Sequence, residues 1–368
     1  MANALIPILY GGDLAETGSG IRGISLQFHI TAACDQNCKH CYMHNSDSYR
    51  SQIENPLSKE DALHLIDEYF SFLRDFNCAG AFVALTGGDP ILSPYFWDIL
   101  EHTHNLGGDQ CTIVILGNPF HITPAVAKKM KDNGVSNYQI SIDGLKETHD
   151  ALRKPGSFDD SMRALEILHD AGINTIVAMT ISKLNCDELI PLYEYLSSKT
   201  FVDCFGFDRM IPVGNGEKIR SEIFSPEDYR QFLFNIYKYE IFRGTDLTIS
   251  KKEQLWKLLF LELGLLDPID KTKKNHFVTG CSAGTGFVSV LADGTILPCS
   301  KLSLVAGKYP EKNFRDIFIN NDVTKMLRQH DRYENCSSCS ANIVCRGCPA
   351  MKFAVTGNYY GCEPYCWR

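Results

Sequence analysis

Three cysteines lie within eight residues of one another near the start of the chain, in the stretch CDQNCKHC (34–41). Cys34, Cys38 and Cys41 are spaced by four and then three residues, which lets one loop wrap its thiolates around a compact cluster. Most structural metal sites close with four protein ligands, whereas catalytic sites keep a position open. The trio therefore predicts an iron–sulfur cluster whose remaining iron takes a ligand from outside the protein. A zinc site with a distant fourth ligand is the alternative.

A second group of cysteines crowds the end of the chain, where eight of the fifteen lie between Cys281 and Cys366. Eight thiolates are enough for two four-cysteine iron–sulfur sites, although a pair of zinc ribbons would use the same ligands. This segment has little apolar periodicity, so we expect it to need metal in order to fold. The other cysteines are scattered and are expected in the core as small buried side chains, namely Cys78, Cys111, Cys186 and Cys204.

The elements that position these residues are short β-rich runs that alternate with amphipathic helical stretches. Among the helices, 58–76 begins with Ser58 as its N-cap and Asp61 reaching back to it, and 158–172 ends at Gly172 as a left-handed C-cap. Repeated β–α units predict a parallel sheet covered by helices. The predicted strands are 23–31, 81–88, 111–118, 137–144, 174–182 and 203–212.

Polar and glycine-rich stretches follow successive strands: the cysteine motif, TGGDP, GNP and SIDG. A doubly wound sheet is one possible architecture, but functional groups at the carboxyl ends of many strands are typical of a barrel. Six units are fewer than eight, so we expect an open, partial TIM-like (β/α)6 barrel. We expect an N-terminal extension (1–22), the barrel (23–213), a helical bridge (214–280) whose basic tract DKTKKNH is a solvated linker, and a cysteine-rich domain (281–368).

Composition narrows the class of protein. The formal net charge is −8, which gives no broad basic field and argues against a nucleic-acid partner. The N-terminus lacks the basic region of a signal peptide, and no stretch reaches the ~20 apolar residues of a membrane span. We therefore expect a cytoplasmic protein, in which clustered cysteines bind metal rather than form disulfides.

CDQNCKHC resembles the CxxxCxxC motif of the radical S-adenosylmethionine (SAM) enzymes. The resemblance implies that SAM chelates the open iron through its amino and carboxylate groups. One electron, supplied by an external flavodoxin- or ferredoxin-like reductant, then cleaves the sulfonium and releases a 5′-deoxyadenosyl radical that abstracts hydrogen. His40 occupies the position at which relatives place a ring against the adenine.

Two further stretches resemble SAM-binding motifs of the same family. TGGDP resembles GGEP, in which Gly87 and Gly88 would let the backbone approach the methionine amine, and Asp89 replaces the usual glutamate. SIDGLKETHDALRKPGSF (141–158) resembles the stretch after strand 4. The resemblance implies that Ser141 binds the sugar of SAM and that Arg153 binds the carboxylate of SAM. A guanidinium group suits a carboxylate because it can donate two parallel hydrogen bonds. Asn118, after strand 3, is expected as a polar neighbour.

The C-terminal cysteines resemble the SPASM domain, which houses auxiliary [4Fe–4S] clusters in enzymes that modify peptides and proteins. Gly294 to Cys299 fits the Gly-x4-Cys element, and Cys348 comes one residue earlier than in the family pattern. The resemblance implies three [4Fe–4S] clusters in all. It gives the first auxiliary cluster Cys281, Cys299, Cys348 and Cys366, and the second Cys336, Cys339, Cys345 and Cys362, with a swap of Cys362 and Cys366 left open. Without Cys366 the first cluster would keep an open iron for a substrate thiolate.

The two resemblances together imply a maturase that installs a thioether or other cross-link in a ribosomally made precursor peptide. A sulfatase-maturing enzyme that forms formylglycine is the alternative, but its catalytic aspartate would stand at Ser300, and a neutral hydroxyl is a poor general base. Asp208 and Arg209, at the end of strand 6, are candidate catalytic residues in the barrel mouth. A non-catalytic electron carrier or zinc-binding scaffold is the alternative of another class.

Peptide maturases of this kind often carry a leader-binding module before the barrel. Only about 22 residues precede the first predicted strand, which is far below domain size. We therefore expect either a separate protein that binds the leader peptide or direct contact between the enzyme and the substrate core.

Overall fold

The structure, a computed structural model, describes residues 24–368 apart from Asp47, Ala79, 244–246, Lys252, 267–279 and Ile343. The expected N-terminal extension and the basic tract 270–276 lie outside the described residues. The strands are β1 Ser25–Thr31, β2 Ala81–Gly87, β3 Cys111–Leu116, β4 Val135–Ser141, β5 Asn174–Ile181, β6 Cys204–Arg209, β7 Thr248–Ser250, β8 Phe287–Val290, β9 Thr295–Leu297 and β10 Gly307–Lys308.

Twelve α-helices lie in the described part of the chain, joined by five short 3-10 helices. The 3-10 helices are Pro90–Leu92, Gly108–Gln110, Cys186–Glu188, Gly214–Glu222 and His330–Arg332. The α-helices are α1 Tyr49–Glu54, α2 Lys59–Asp75, α3 Phe96–Gly107, α4 Pro124–Asp132, α5 Lys146–Leu152, α6 Ser157–Asp170, α7 Leu189–Ser197, α8 Pro226–Arg243, α9 Leu255–Glu262, α10 Phe314–Asn320, α11 Asp322–Leu327 and α12 Pro349–Thr356.

The six predicted strands form the centre of one sheet, in the order β1-β2-β3-β4-β5-β6 with every neighbouring pair parallel. A doubly wound sheet reverses its strand order at a switch point, and this sheet does not. The prediction of a partial parallel barrel is confirmed.

Alternation along the strands separates a core face from a site face. On β1, Leu26, Phe28 and Ile30 belong to the hydrophobic core that the helices cover. Gln27 and His29 point the opposite way, because successive side chains of a strand alternate between its two faces. The face opposite the helices therefore carries polar side chains beside the loop that follows β1.

Four further strands extend the sheet at both edges. β7 pairs parallel with β6, inside the segment that we expected to be a helical bridge. At the other edge β8 pairs parallel with β1, and β8, β9 and β10 continue as antiparallel neighbours. The cysteine-rich segment thus joins the barrel sheet directly and covers the edge of β1, which would otherwise present unpaired backbone groups.

Local signals explain two of the helix boundaries. At the start of α2 the Asp61 N–H donates to Ser58 Oγ at 3.0 Å, and that hydroxyl donates back to Asp61 Oδ2 at 2.8 Å. After α6, Gly172 adopts a φ of 76°, as the left-handed C-cap requires. α2 also contacts the C-terminal region through Phe72, whose ring lies 5.6 Å from Phe314.

A search of the described helices finds none with the length and apolar character needed to cross a membrane.

Candidate active site

The cysteine loop, residues 32–46, leaves the carboxyl end of β1 and is fixed by backbone hydrogen bonds. The Cys41 N–H donates to the Cys38 carbonyl at 3.2 Å, and the Asn215 side chain donates to the same carbonyl at 3.0 Å. The thiols of the trio lie close enough that ionised Cys41 raises the pKa of both Cys34 and Cys38. Burial, the largest cause, raises the pKa of Cys38 to about 12. Thiolates at this site therefore need a cationic partner, which iron would provide.

The loop after β2 lies directly against the cysteine loop. Gly88 N–H donates to the Thr31 carbonyl at 3.0 Å. A Cβ on Gly87, whose φ is 140°, would lie 1.9 Å from the Thr31 oxygen, and a Cβ on Gly88 would lie 2.7 Å from Cys34 Cβ. Both glycines are required by this close approach, so their role includes positioning Cys34.

Asp89 is a buried carboxylate with one unsatisfied oxygen. Its Oδ1 accepts a hydrogen bond from the Asn118 backbone at 3.3 Å, whereas its Oδ2 has no partner among the described residues. Burial raises the pKa of Asp89 to about 7. A buried carboxylate oxygen without a donor fits a cationic ligand group, such as the ammonium of SAM.

Asn118 lies beside the trio, where the sequence predicted a polar neighbour. Its side-chain amide donates to Asp35 Oδ1 at 2.7 Å and lies 3.4 Å from Cys34 Sγ. The Asn118 carbonyl accepts from the Tyr138 hydroxyl at 3.0 Å. These contacts hold the end of β3 against the cysteine loop.

Arg153 and His40 share a buried carboxylate that sequence reasoning missed, Asp143. Arg153 Nε donates to Asp143 Oδ2, and His40 Nε2 lies 3.2 Å from the same oxygen. Burial alone would raise the pKa of Asp143, but the charges of Arg153 and His40 hold it well below its usual range. Asp143 belongs to the SIDG stretch quoted above. An acidic residue there, close in sequence to Arg153, could have indicated a partner for that arginine.

Of the residues predicted to contact SAM after β4, Arg153 lies beside the trio. Arg153 Nη1 lies 3.7 Å from Cys38 Sγ, so its positive charge faces that thiol. Ser141 is the last residue of β4 and is partly exposed. The assignments of Ser141 and Arg153 to the SAM sugar and carboxylate, and of His40 to the adenine, stay predictions.

The first auxiliary set, Cys281, Cys299 and Cys348, comes together from three segments. Burial raises the pKa of Cys281 to about 11 and that of Cys348 to about 12, and neighbouring thiolates of the set raise both further. Cys348 precedes α12, and its backbone N–H donates to Glu363 Oε2 at 2.6 Å.

Three cysteines of the second auxiliary set, Cys336, Cys339 and Cys345, line one cavity. Cys366 lines this cavity, whereas Cys362 does not. The Cys366 N–H donates to the Glu363 carbonyl at 3.0 Å, a turn that brings Cys366 back toward the cavity. Cys362 is exposed, and its Sγ accepts a hydrogen bond from Asn335 at 2.9 Å. The structure therefore favours the swap that the sequence left open, with Cys366 beside Cys336, Cys339 and Cys345. The assignment of ligands to each auxiliary set stays a prediction.

Arg209 does not project into the barrel mouth as predicted. Adjacent strand residues point to opposite faces, so Asp208 and Arg209 cannot both face the site. Arg209 is buried on the helix side, where its two terminal nitrogens lie 2.7 Å from Glu253 and 2.7 Å from Glu363. Asp208 is partly exposed, and its carboxylate lies 3.9 Å from Lys301 Nζ.

A tyrosine that sequence reasoning missed connects the cysteine loop with the first auxiliary set. The Tyr42 hydroxyl, next to Cys41, is hydrogen-bonded to Ser300, and ionised Cys41 and Cys299 both raise the pKa of Tyr42 beyond the effect of burial. Ser300 Oγ donates in turn to Gln27 Oε1 at 3.1 Å. Neutral polar side chains thus connect the two groups of thiols.

Two family models match the chain. A model of the radical SAM superfamily matches residues 28–196, and a model of the iron–sulfur cluster-binding domain SPASM matches residues 281–340. The two domains imply [4Fe–4S] clusters and SAM as cofactors.

Curated relatives are similar over nearly the whole chain. An AdoMet-dependent heme synthase of Methanosarcina barkeri is 29% identical over 348 residues, which are 93% of this chain and 95% of the relative. The mycofactocin maturase MftC of Mycobacterium tuberculosis is 26% identical over 352 residues, which are 93% of this chain and 82% of the relative.

Solved structures share the fold. Streptococcus suis SuiB bound to the precursor peptide SuiA superposes with a TM-score of 0.72 at 16% identity, covering 96% of this chain and 77% of SuiB. The enzyme anSMEcpe with bound AdoMet and the Kp18Cys peptide gives a TM-score of 0.70 at 18% identity, covering 93% of each chain. The chain is therefore a radical SAM enzyme with a C-terminal SPASM domain.

Proposed function

We propose that the protein cleaves SAM reductively and abstracts hydrogen from a residue of a ribosomally made precursor peptide, which then forms a thioether or other cross-link. The observation that supports the radical step is the convergence of three thiols, an unsatisfied buried carboxylate and an arginine where β1, β2 and β4 end. Cys34, Cys38 and Cys41 would hold the cluster, which would supply the electron for cleavage of SAM.

The surrounding side chains have distinct roles in this proposal. Asp89 binds the SAM ammonium, because its Oδ2 is buried without a donor. Arg153 faces Cys38 and stabilises its thiolate, while Asp143 holds Arg153 and His40 in place. Asn118 keeps the end of β3 against Cys34.

The substrate is proposed to lie between the cysteine loop and the first auxiliary set. Gln27, Tyr42 and Ser300 connect these two segments and offer neutral hydrogen-bonding groups, which suit peptide amides. The similarity to a mycofactocin maturase supports a peptide substrate. We further propose that a separate leader-binding protein, or the enzyme surface itself, recruits the peptide.

A tetrapyrrole is the second candidate substrate. Three AdoMet-dependent heme synthases are 25% to 29% identical over 93% to 98% of this chain. In that case the radical would act on a side chain of an iron porphyrin rather than on an amino acid.

The sulfatase-maturing alternative is less well supported. That reaction needs a carboxylate next to Cys299. Ser300 occupies this position, and its hydroxyl donates a hydrogen bond to Gln27. The likeness to anSMEcpe, at 18% identity, concerns the fold alone.

The radical step is tested with protein purified without air, reconstituted with iron and sulfide, and incubated with SAM and dithionite. We expect 5′-deoxyadenosine from the wild type and none from the triple variant Cys34→Ala/Cys38→Ala/Cys41→Ala. Cys78→Ala is the matched control, because Cys78 precedes β2, at the edge of the sheet opposite the one where the trio lies, and should not change the yield. Zinc in place of iron, or iron without SAM cleavage, would support the scaffold or electron-carrier alternative.

The substrate class is tested by offering the same enzyme two probes. One is a cysteine-containing precursor peptide, with and without a leader-binding partner, and the other is an iron porphyrin with propionate side chains. Stimulated 5′-deoxyadenosine formation, together with a mass change of the peptide, supports peptide maturation. The same result with the porphyrin alone would replace the peptide by a tetrapyrrole.

A further inference from the structure

We propose that Lys352 is a fixed counter-charge for the auxiliary iron–sulfur clusters and raises the reduction potential of at least one of them. The inference rests on the proposed occupation of the auxiliary sets by clusters. It concerns a positioning and tuning residue of the SPASM region, away from the SAM site.

Lys352 lies on α12 between the two auxiliary sets and is fully buried. Its Nζ is 3.6 Å from Cys336 Sγ, a member of the second set, and 4.5 Å from the centroid of the Tyr333 ring. Burial raises the pKa of Cys281, a member of the first set, and the positive charges of Arg346 and Lys352 partly oppose that rise. One ammonium therefore acts on both sets.

The partners of Lys352 differ from those of Arg209, the buried cation nearby. Arg209 contacts two carboxylates, Glu253 and Glu363, at 2.7 Å each. Within the part of the chain that the structure describes, no carboxylate lies within 4.0 Å of Lys352 Nζ. Its closest polar contact is a cysteine sulfur and its other contact is the face of an aromatic ring.

A buried ammonium without an anion is unfavourable, because its hydration is lost and nothing replaces it. Neutral thiols are weak partners for such a charge. A cluster held by thiolates is negatively charged and would supply the missing anion at the place where Lys352 points. The buried lysine and the cysteine sets therefore require each other electrostatically.

The same charge has a consequence for redox chemistry. Reduction adds an electron to a cluster and makes it more negative, so a nearby cation stabilises the reduced form more than the oxidised form. Net charge and contacts to the sulfurs are among the factors that set cluster potentials. Removal of the ammonium should therefore lower the potential.

The test is an EPR-monitored redox titration of the reconstituted full-length enzyme. Lys352→Met removes the charge and keeps an unbranched apolar stem. We expect this variant to shift the one-electron reduction equilibrium of at least one auxiliary cluster at least tenfold toward the oxidised form. A tenfold shift lowers the reduction potential by about 59 mV. Lys352→Arg should stay near the wild type, as should the control Lys312→Met, whose side chain is exposed. The cluster at Cys34, Cys38 and Cys41 serves as the internal reference.

Each outcome decides the inference. Unchanged or raised auxiliary potentials in Lys352→Met with full iron content would overturn it. Loss of auxiliary iron in Lys352→Met but not in Lys352→Arg would support the need for the charge, whereas loss in both would show a packing role and overturn it. Absence of auxiliary iron in the wild type would instead refute the proposed clusters, so the two failures are distinguishable.

Discussion

The cysteine loop and the auxiliary sets present the same kind of ligand but are assembled differently. In the cysteine loop, eight consecutive residues supply three thiols, and backbone hydrogen bonds from the ends of neighbouring strands hold them. In the auxiliary sets, the thiols come from segments far apart in the chain. There, buried charges connect the segments, as Arg209 does between β6 and Glu363. The first site depends on local backbone geometry, and the second depends on tertiary contacts.

The largest effect on this comparison should come from Arg209→Met. The change leaves Glu253 and Glu363 buried without their cation, and breaking a buried ion pair costs about 3–5 kcal/mol. We expect a corresponding loss in the free energy of unfolding, measured by urea titration without air, together with loss of auxiliary iron. Arg163→Met, which removes an exposed pair with Asp160, should cost about 1 kcal/mol or less. Equal losses of unfolding free energy in the two variants would contradict the view that buried charges hold the auxiliary segments together.

Gly88→Ala should damage the cysteine loop with a smaller loss of stability. The added Cβ would lie 2.1 Å from the Ala33 oxygen and 2.7 Å from Cys34 Cβ, so the two loops must separate. We expect SAM cleavage to fall at least tenfold, and stability to fall by about 1–3 kcal/mol. The control is Gly286→Ala, at which a Cβ meets only ordinary contacts. Full SAM cleavage in Gly88→Ala would show that the close approach of the loops is not needed.

The pH dependence of SAM binding should include the ionisation of Asp89. Burial raises the pKa of Asp89 to about 7, so its carboxylate is protonated below that pH in the free enzyme. Only the ionised form attracts the SAM ammonium. Affinity should therefore fall about tenfold per pH unit as the pH drops below 7, measured by equilibrium dialysis without air. Asp89→Asn should bind weakly with a flat profile, and an unchanged slope in that variant would exclude Asp89 as the titrating group.

The smallest effect is expected at the contact between the two regions. Tyr42→Phe removes the hydrogen bond to Ser300 and should cost about 1 kcal/mol. A double-mutant cycle with Ser300→Ala measures the coupling in unfolding free energy. A coupling near zero would mean that this bond does not contribute to holding the regions together.

The six barrel strands could be predicted because each has an apolar run of adequate length followed by polar or glycine-rich residues. β7 to β10 could not, since strands of two to four residues have no periodicity of their own and take their register from a partner. The same distinction applies to the site. CDQNCKHC identifies its own cluster, but Cys362 and Cys366 lie four residues apart, and only the turn at Glu363 decides which thiol faces the second auxiliary set.

Orientation within a strand was the other information missing from the sequence. Asp208 and Arg209 are equally polar and adjacent, and the carboxylates that bind Arg209 follow it by 44 and 154 residues (253 − 209 and 363 − 209). Asp143 and Tyr42 lie next to residues that were singled out, but their contacts cross from one strand end to another. Such contacts become visible only when the barrel brings the strand ends together.

The pairing of β8 with β1 ties the cysteine loop to the hairpin that precedes Cys299. Ser25 to Phe28 are in register with Phe287 to Val290, so the ladder that leads to Cys34 is bonded to the hairpin that leads to Cys299. A slip of one residue would turn every side chain of β8 to the wrong face. In the proposed reaction the substrate lies between these two segments, so the ladder would set the width of the gap that the substrate has to fit.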